Sequence, residues 1–310
     1  MTPKEQALET IAGLAREHGI TPQEIRAQLS AAEQSADSKT SVLTRLLSYL
    51  GGIFVIAGLG VFIEMQWNEM NSAARITVTL GSGLAAFLMA WILSSDERRR
   101  KMATPLFLIA AFLQPTGILV ALDELARGGD ERHAVLFASG VLLVQQTLAF
   151  FSKKLTSLLF MSIFFALVFY ATAMELIDLD ADLIAFGLGL SMLFVLRRVD
   201  QTPHASITPF WYFFSSAAML SGLFALVQDS PLEVFFLGAA CGIVFWSTWA
   251  KSRSLLFVGT VAILSYVGYY TAEHFTDVVG WPIALILFGL LLIALSAVAF
   301  RINRKYIAAK

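Results

Sequence analysis

Two short polar groups interrupt otherwise apolar runs of this chain, Gln114-Pro115-Thr116-Gly117 and Gln145-Gln146. A glutamine amide both donates and accepts, so these residues can hold a neutral solute or bond across to a neighbouring helix. Pro115 removes one helical hydrogen bond and Gly117 lowers local stiffness, which predicts a kink. Carbonyls freed at a kink can line a cavity, as in the discontinuous helices of transporters. Gln114, Pro115, Gln145 and Gln146 are therefore the candidate substrate-binding residues, with inter-helix packing as the alternative.

Other chemistries are poorly provided for. No Asp, Glu, Lys or Arg falls in the middle of an apolar run. A carboxylate or base at membrane depth would signal ion coupling, so its lack speaks against proton antiport through a buried acid. Uniport or exchange of a neutral solute stays open. There is no P-loop, dinucleotide fingerprint or nucleophile elbow. The four histidines, His18, His133, His204 and His274, show no metal-ligand spacing. No enzyme activity, catalytic residue, metal or cofactor is expected. The single cysteine, Cys241, excludes an intramolecular disulfide.

These residues must be positioned by elements of membrane type. The chain of 310 residues is 57% hydrophobic and 15% charged, with mean hydropathy +0.71, far to the apolar side of soluble domains, which carry about 25% charged residues. Apolar runs near 43–65, 73–94, 103–122, 133–151, 155–174, 181–196, 207–228, 232–250, 254–273 and 280–300 predict about ten transmembrane helices. Basic breaks (Arg98 to Lys101, Lys153-Lys154, Arg197-Arg198, Lys251 with Arg253, Arg301 with Arg304-Lys305) recur after every second run. Of 22 Lys/Arg only Arg75, Arg127 and Arg132 fall on the other side, so the positive-inside rule puts both ends in the cytoplasm. Trp67 and Trp281 at the outer boundary, and Trp91, Trp211 and Trp249 near the inner one, form an aromatic belt.

The outer side then carries 14 acidic residues. Asp123, Glu124 and the run from Glu175 to Asp182 either gather a cation or form the solvated rim left where Lys and Arg are excluded. A parallel internal repeat is also visible. Lys154 with Ser157-Leu158-Leu159-Phe160 returns as Lys251 with Ser254-Leu255-Leu256-Phe257.

Ahead of the first run, Thr2-Pro3-Lys4-Glu5 and Thr21-Pro22-Gln23-Glu24 fit capping boxes with Pro at the first helical position. Residues 1–40 are therefore read as a cytoplasmic helical hairpin and linker, and 41–310 as the transmembrane domain. No cleavable signal peptide is expected in that polar start. The hairpin's charge lacks a nucleic-acid footprint and suits a protein partner.

The stretch Leu50-Gly51-Gly52-Ile53 through Gly58-Leu59-Gly60, followed by Gln66-Trp67-Asn68-Glu69-Met70-Asn71-Ser72-Ala73-Ala74-Arg75, resembles a family of bacterial predicted membrane proteins, domain of unknown function 2157. That family shows a Gly-rich first span, an Asn-Trp pair with acidic and small residues, and an Arg opening the second span. Trp67, Glu69 and Arg75 carry the motif here, with Gln66 in place of the Asn. The resemblance implies a bacterial inner (cytoplasmic) membrane and no known activity. Physically, Trp67 would anchor the first hairpin, and Glu64 or Glu69 would pair with Arg75. The expected protein is an all-α, multi-pass protein of the lipid bilayer. It is either a non-enzymatic membrane component or, alternatively, a small-solute transporter with a polar site around spans three and four.

Overall fold

A computed structural model of the protein describes residues 64–96, 100–126, 129–228 and 230–274 continuously, and single residues elsewhere. The expected first and last spans, 43–65 and 280–300, lie largely outside the described residues, as does most of the N-terminal hairpin. The chain divides into two compact units, Met1–Asn71 and Ser72–Lys310.

In the first unit, Gln6, Gly13 to Ala15, Gln23 and Glu64 to Gln66 are helical. A 3-10 turn at Trp67–Glu69 follows, closed by the amide of Met70 donating to the carbonyls of Gln66 and Trp67. Trp67 is half-buried and Glu69 exposed.

The second unit is a series of helical hairpins. Its helices are α1 (Ser72–Leu93), α2 (Arg100–Leu125), α3 (Glu131–Lys153), α4 (Thr156–Glu175), α5 (Ala181–Val199), α6 (Thr208–Val227), α7 (Val234–Ala250) and α8 (Arg253–His274). Each coincides with an expected span to within a few residues, because the charged breaks that stop an apolar run also stop its helix. There is no strand among the described residues. Six stretches are long and apolar enough to cross a membrane: α1, Met102–Leu125 of α2, α3, α4, Ala205–Val227 around α6, and Arg253–Thr271 of α8. The helix α7 is apolar but shorter. The helix α5, at the expected sixth span, ends in Arg197-Arg198 and is not among the six.

Local chemistry sets the helix ends. Asp130 caps α3 by accepting from the Arg132 amide at 2.9 Å, and Asp180 caps α5 by accepting from the amides of Asp182 and Leu183. Two acids of the expected rim are thus caps. Lys154 and Lys251 end α3 and α7 in the same left-handed conformation, with φ of 49° and 51°. The repeat seen in the sequence therefore falls on two hairpins, α3–α4 and α7–α8, that reverse in the same way.

Packing relies on small residues, as expected where lipid removes the hydrophobic drive between helices. A Cβ added to Gly189 of α5 would stand 2.6 Å from the Met219 nitrogen and the Ser215 carbonyl of α6. One on Gly222 of α6 would stand 2.4 Å from the Asp182 carbonyl. The largest buried cluster joins α4 to α8 around Leu193, Leu196, Tyr212, Ala240 and Leu255. Outward, large apolar side chains are bare, including Phe112 at 74% and Phe245 at 76% exposed. Such a surface is unstable in water and suited to lipid.

Candidate functional site

The sequence places two glutamine groups at mid-helix, and the structure turns them onto separate contacts. Gln114 lies on the face of α2 that meets α1. A Cβ on Gly83 would be 2.9 Å from the Gln114 nitrogen and 3.0 Å from its Cγ. One turn further, a Cβ on Gly117 would stand 2.4 Å from the nitrogen and Cα of Leu80. Backbone approaches backbone there only because neither glycine has a side chain. A π-helical turn at Thr77–Gly81 carries Leu80 into that contact. The hydroxyls of Thr77, Thr79 and Ser82 donate to carbonyls one turn back, at 2.5–2.8 Å.

Gln146 sits on the buried face of α3 between Leu142 and Ala149, and Gln145 beside it is half-buried. Leu142 packs with Ala111, Met161 and Phe165, while Ala149 packs with Ala103, Phe107 and Leu158. Gln146 is thus enclosed between α2, α3 and α4. Gln114 is 1% exposed and Gln146 0%, and neither amide has a hydrogen-bond partner among the described residues. Among the described residues these two glutamines do not bond across helices to other side chains.

Pro115 lies on another side of α2. The helix continues through Pro105 and Pro115. With no N–H at Pro115, the Ala111 carbonyl lacks its usual helical donor. Pro115 and Thr116 line a groove of about 560 Å³ that runs past Ala111, Ser139, Phe164 and Trp211. Its walls are overwhelmingly apolar, and neither Gln114 nor Gln146 lines it. The four expected site residues therefore do not converge on one cavity.

Arg75 of the expected motif has a partner that its sequence reading did not name. Arg75 donates to Glu124 at 2.6 Å, and Ser72 donates to the other carboxylate oxygen at 2.5 Å. The Glu124 side chain is 11% exposed. The described partner of Arg75 is thus across the helix pair, on α2. Glu124 also leaves the acidic rim. No group of three or more His, Cys, Asp or Glu gathers among the described residues. His133 stands 3.9 Å from Asp130 in an exposed pair.

Two arrangements at the basic ends of the helices were not foreseen. Asp200 accepts from Thr208 at 2.6 Å and from Tyr212 at 3.0 Å, which ties α5 to α6. The Arg197 guanidinium lies 4.3 Å over the Trp249 ring of α7. The sequence signal was a pair of arginines at one helix end and a Trp-x-x-Trp spacing at another, with nothing to say that they meet.

No curated protein and no solved structure matches the chain. Residues 13–150, which contain the Trp67 and Arg75 motif, match the family described as Predicted membrane protein (DUF2157), the family that the sequence resembles.

Proposed function

We propose that the chain is a ten-span protein of the bacterial inner membrane with both ends in the cytoplasm, acting as a non-enzymatic membrane component. Residues 1–40 are its cytoplasmic hairpin, through which it holds a protein partner, and residues 41–310 are its transmembrane domain. The observation that carries this reading is the closed packing around Gln114. The atoms facing it across Gly83 leave no room for a solute, and the groove beside Pro115 has apolar walls. The charge alternation supports the topology, since Lys and Arg are held back on the cytoplasmic side.

Cysteine labelling tests the topology. In a Cys241→Ser background, Gln201→Cys should resist a membrane-impermeant maleimide in intact cells and Asp178→Cys should react. The reverse pattern would refute it. For the partner, in-cell photocrosslinking from residues 1–40 should give one discrete adduct, and its absence at every position tried would remove the hairpin's assigned role.

A second reading, a small-solute transporter, is favoured by the buried amides of Gln114 and Gln146. Each lacks a partner among the described residues, and a buried unpaired polar group costs about 1–3 kcal/mol. A thermal-shift panel of neutral metabolites separates the two. Ligand at 100 times its Kd stabilises by about 2.7 kcal/mol. A hit abolished by Gln114→Ala or Gln146→Ala would replace the component reading with transport.

A further inference from the structure

At the end of α5 and α7 that carries the basic residues, a pocket of about 600 Å³ opens between the two helices. Phe194, Arg197, Arg198, Gln201, Trp246 and Trp249 wall it. Arg197 is built into this wall. Its guanidinium lies 4.3 Å over Trp249, and one amino nitrogen is 4.0 Å from Asp200. Asp200 is itself fixed by Thr208 and Tyr212. Ring and carboxylate together hold the guanidinium in one orientation. Its Nε–H, shielded from solvent, has no acceptor among the described residues.

The Trp246 indole N–H is likewise shielded and without an acceptor among the described residues. Its ring is set edge-on against Phe194, with centroids 5.1 Å apart. Two shielded donors stand beside the exposed Arg198 guanidinium and the exposed Gln201 amide. The exposed donors of Arg198 and Gln201 suit a ligand made of acceptor oxygens, and charge-assisted bonds favour an anionic one. None of the lining residues is acidic. The charge of Asp200 is engaged by Arg197 and by two hydroxyls.

The pocket is also amphipathic. Phe194 and Val195, 58% and 49% exposed, continue its wall onto the bare apolar surface of the helix. We propose that this pocket binds the phosphate headgroup of an anionic phospholipid, whose acyl chains lie along Phe194 and Val195. A basic pocket between helix ends at the bilayer surface is where such headgroups are held. A choline headgroup fits poorly. It would bring a cation beside two guanidiniums, and the Trp249 face that could receive it is already covered by Arg197.

The test uses the full-length protein, delipidated in dodecyl maltoside and titrated separately with phosphatidylglycerol, phosphatidylcholine or inorganic phosphate. Native mass spectrometry reads bound lipid, and thermal unfolding reads stabilisation. Both lipids carry the phosphate, so the preference comes from the choline cation, and phosphatidylglycerol should bind about tenfold or more tightly than phosphatidylcholine. The preference should vanish in Arg198→Gln/Trp246→Phe and survive in Arg253→Gln, an exposed basic residue outside the pocket. Because Arg198 and Gln201 are exposed, Arg198→Gln and Gln201→Ala alone each leave the packing intact and should each weaken phosphatidylglycerol binding severalfold. Equal retention of the two lipids, or a preference untouched by these variants, overturns the proposal. Stabilisation by inorganic phosphate equal to that by phosphatidylglycerol overturns it too, since the ligand would then be a free anion.

Discussion

Replacing Arg75 by methionine removes the cation that Glu124 faces at 2.6 Å and leaves the carboxylate against Ser72 in a setting only 11% exposed. Two unit charges about 4 Å apart attract by roughly 4 kcal/mol at an effective dielectric of about 20, and desolvation offsets much of that. Breaking a buried pair by removing one partner costs about 3–5 kcal/mol, because the other charge stays behind. Arg75 is 24% exposed, which puts Arg75→Met at the lower end, about 3 kcal/mol. Glu124→Gln keeps a carbonyl oxygen for Ser72 and Arg75, and should cost about 2 kcal/mol. Once the cation is gone, losing the carboxylate charge removes a penalty. The double variant should therefore cost about 3 kcal/mol, giving a coupling of about 2 kcal/mol. Unfolding free energies of the four proteins, measured by steric trapping in bicelles, complete the cycle. Additivity to within about 0.5 kcal/mol would refute the assignment of Arg75 as the partner of Glu124.

Gly117→Ala sets a Cβ 2.4 Å from the Leu80 backbone and should cost about 2–3 kcal/mol or more, while Gly187→Ala, with nothing within 4 Å, should be neutral or gain up to about 1 kcal/mol. Equal unfolding midpoints for the two would show that the α1–α2 approach is not limiting. Gln146→Met, which keeps the volume and removes an amide without a protein partner, should stabilise by about 1–2 kcal/mol in the same assay. A loss above about 1 kcal/mol would mean that the amide is bonded, and would favour the solute site. Asp200→Ala strands the hydroxyls of Thr208 and Tyr212 and should destabilise by about 2–4 kcal/mol, against about 1 kcal/mol for Tyr212→Phe. Similar losses from the two variants would show that Asp200 is not the centre of that network.

The positions of the helices were legible because each stop is written in charge. Arg98 to Lys101, Lys153-Lys154 and Arg197-Arg198 end or precede helices where the structure ends or begins them. Rotation about the helix axis was not legible. A helix such as α2 is apolar around most of its circumference, so periodicity does not say which side of it Gln114 occupies. Contacts at Gly83 and Gly117 decide that, and a glycine in sequence does not name its neighbour. Glu124 was missed for a related reason. It stands in an acidic run, where a solvated rim is the ordinary reading, and only the depth of Ser72 and Arg75 on the facing helix distinguishes it from Asp123. Trp249 read as a belt residue and is exposed as one, yet the same ring also carries Arg197.

The irregular turn in α1 has a consequence for register. Along α2 the contacts fall at Ala103, Phe107, Gln114, Gly117 and Glu124, steps of three, four or seven that keep one stripe facing α1. Along α1 the matching positions are Ala90, Phe87, Gly83 and Leu80, and then a step of five to Arg75. That longer step is the π-helical turn at Thr77–Gly81. Deleting one residue within it would give α1 a regular ladder and turn the segment from Ser72 to Arg75 by about 100°. Its own backbone bonding would improve, while Arg75 would swing off Glu124. Length at this point in α1 is therefore fixed to the single residue, and an otherwise harmless deletion should uncouple the outer motif from the glycine contacts below it.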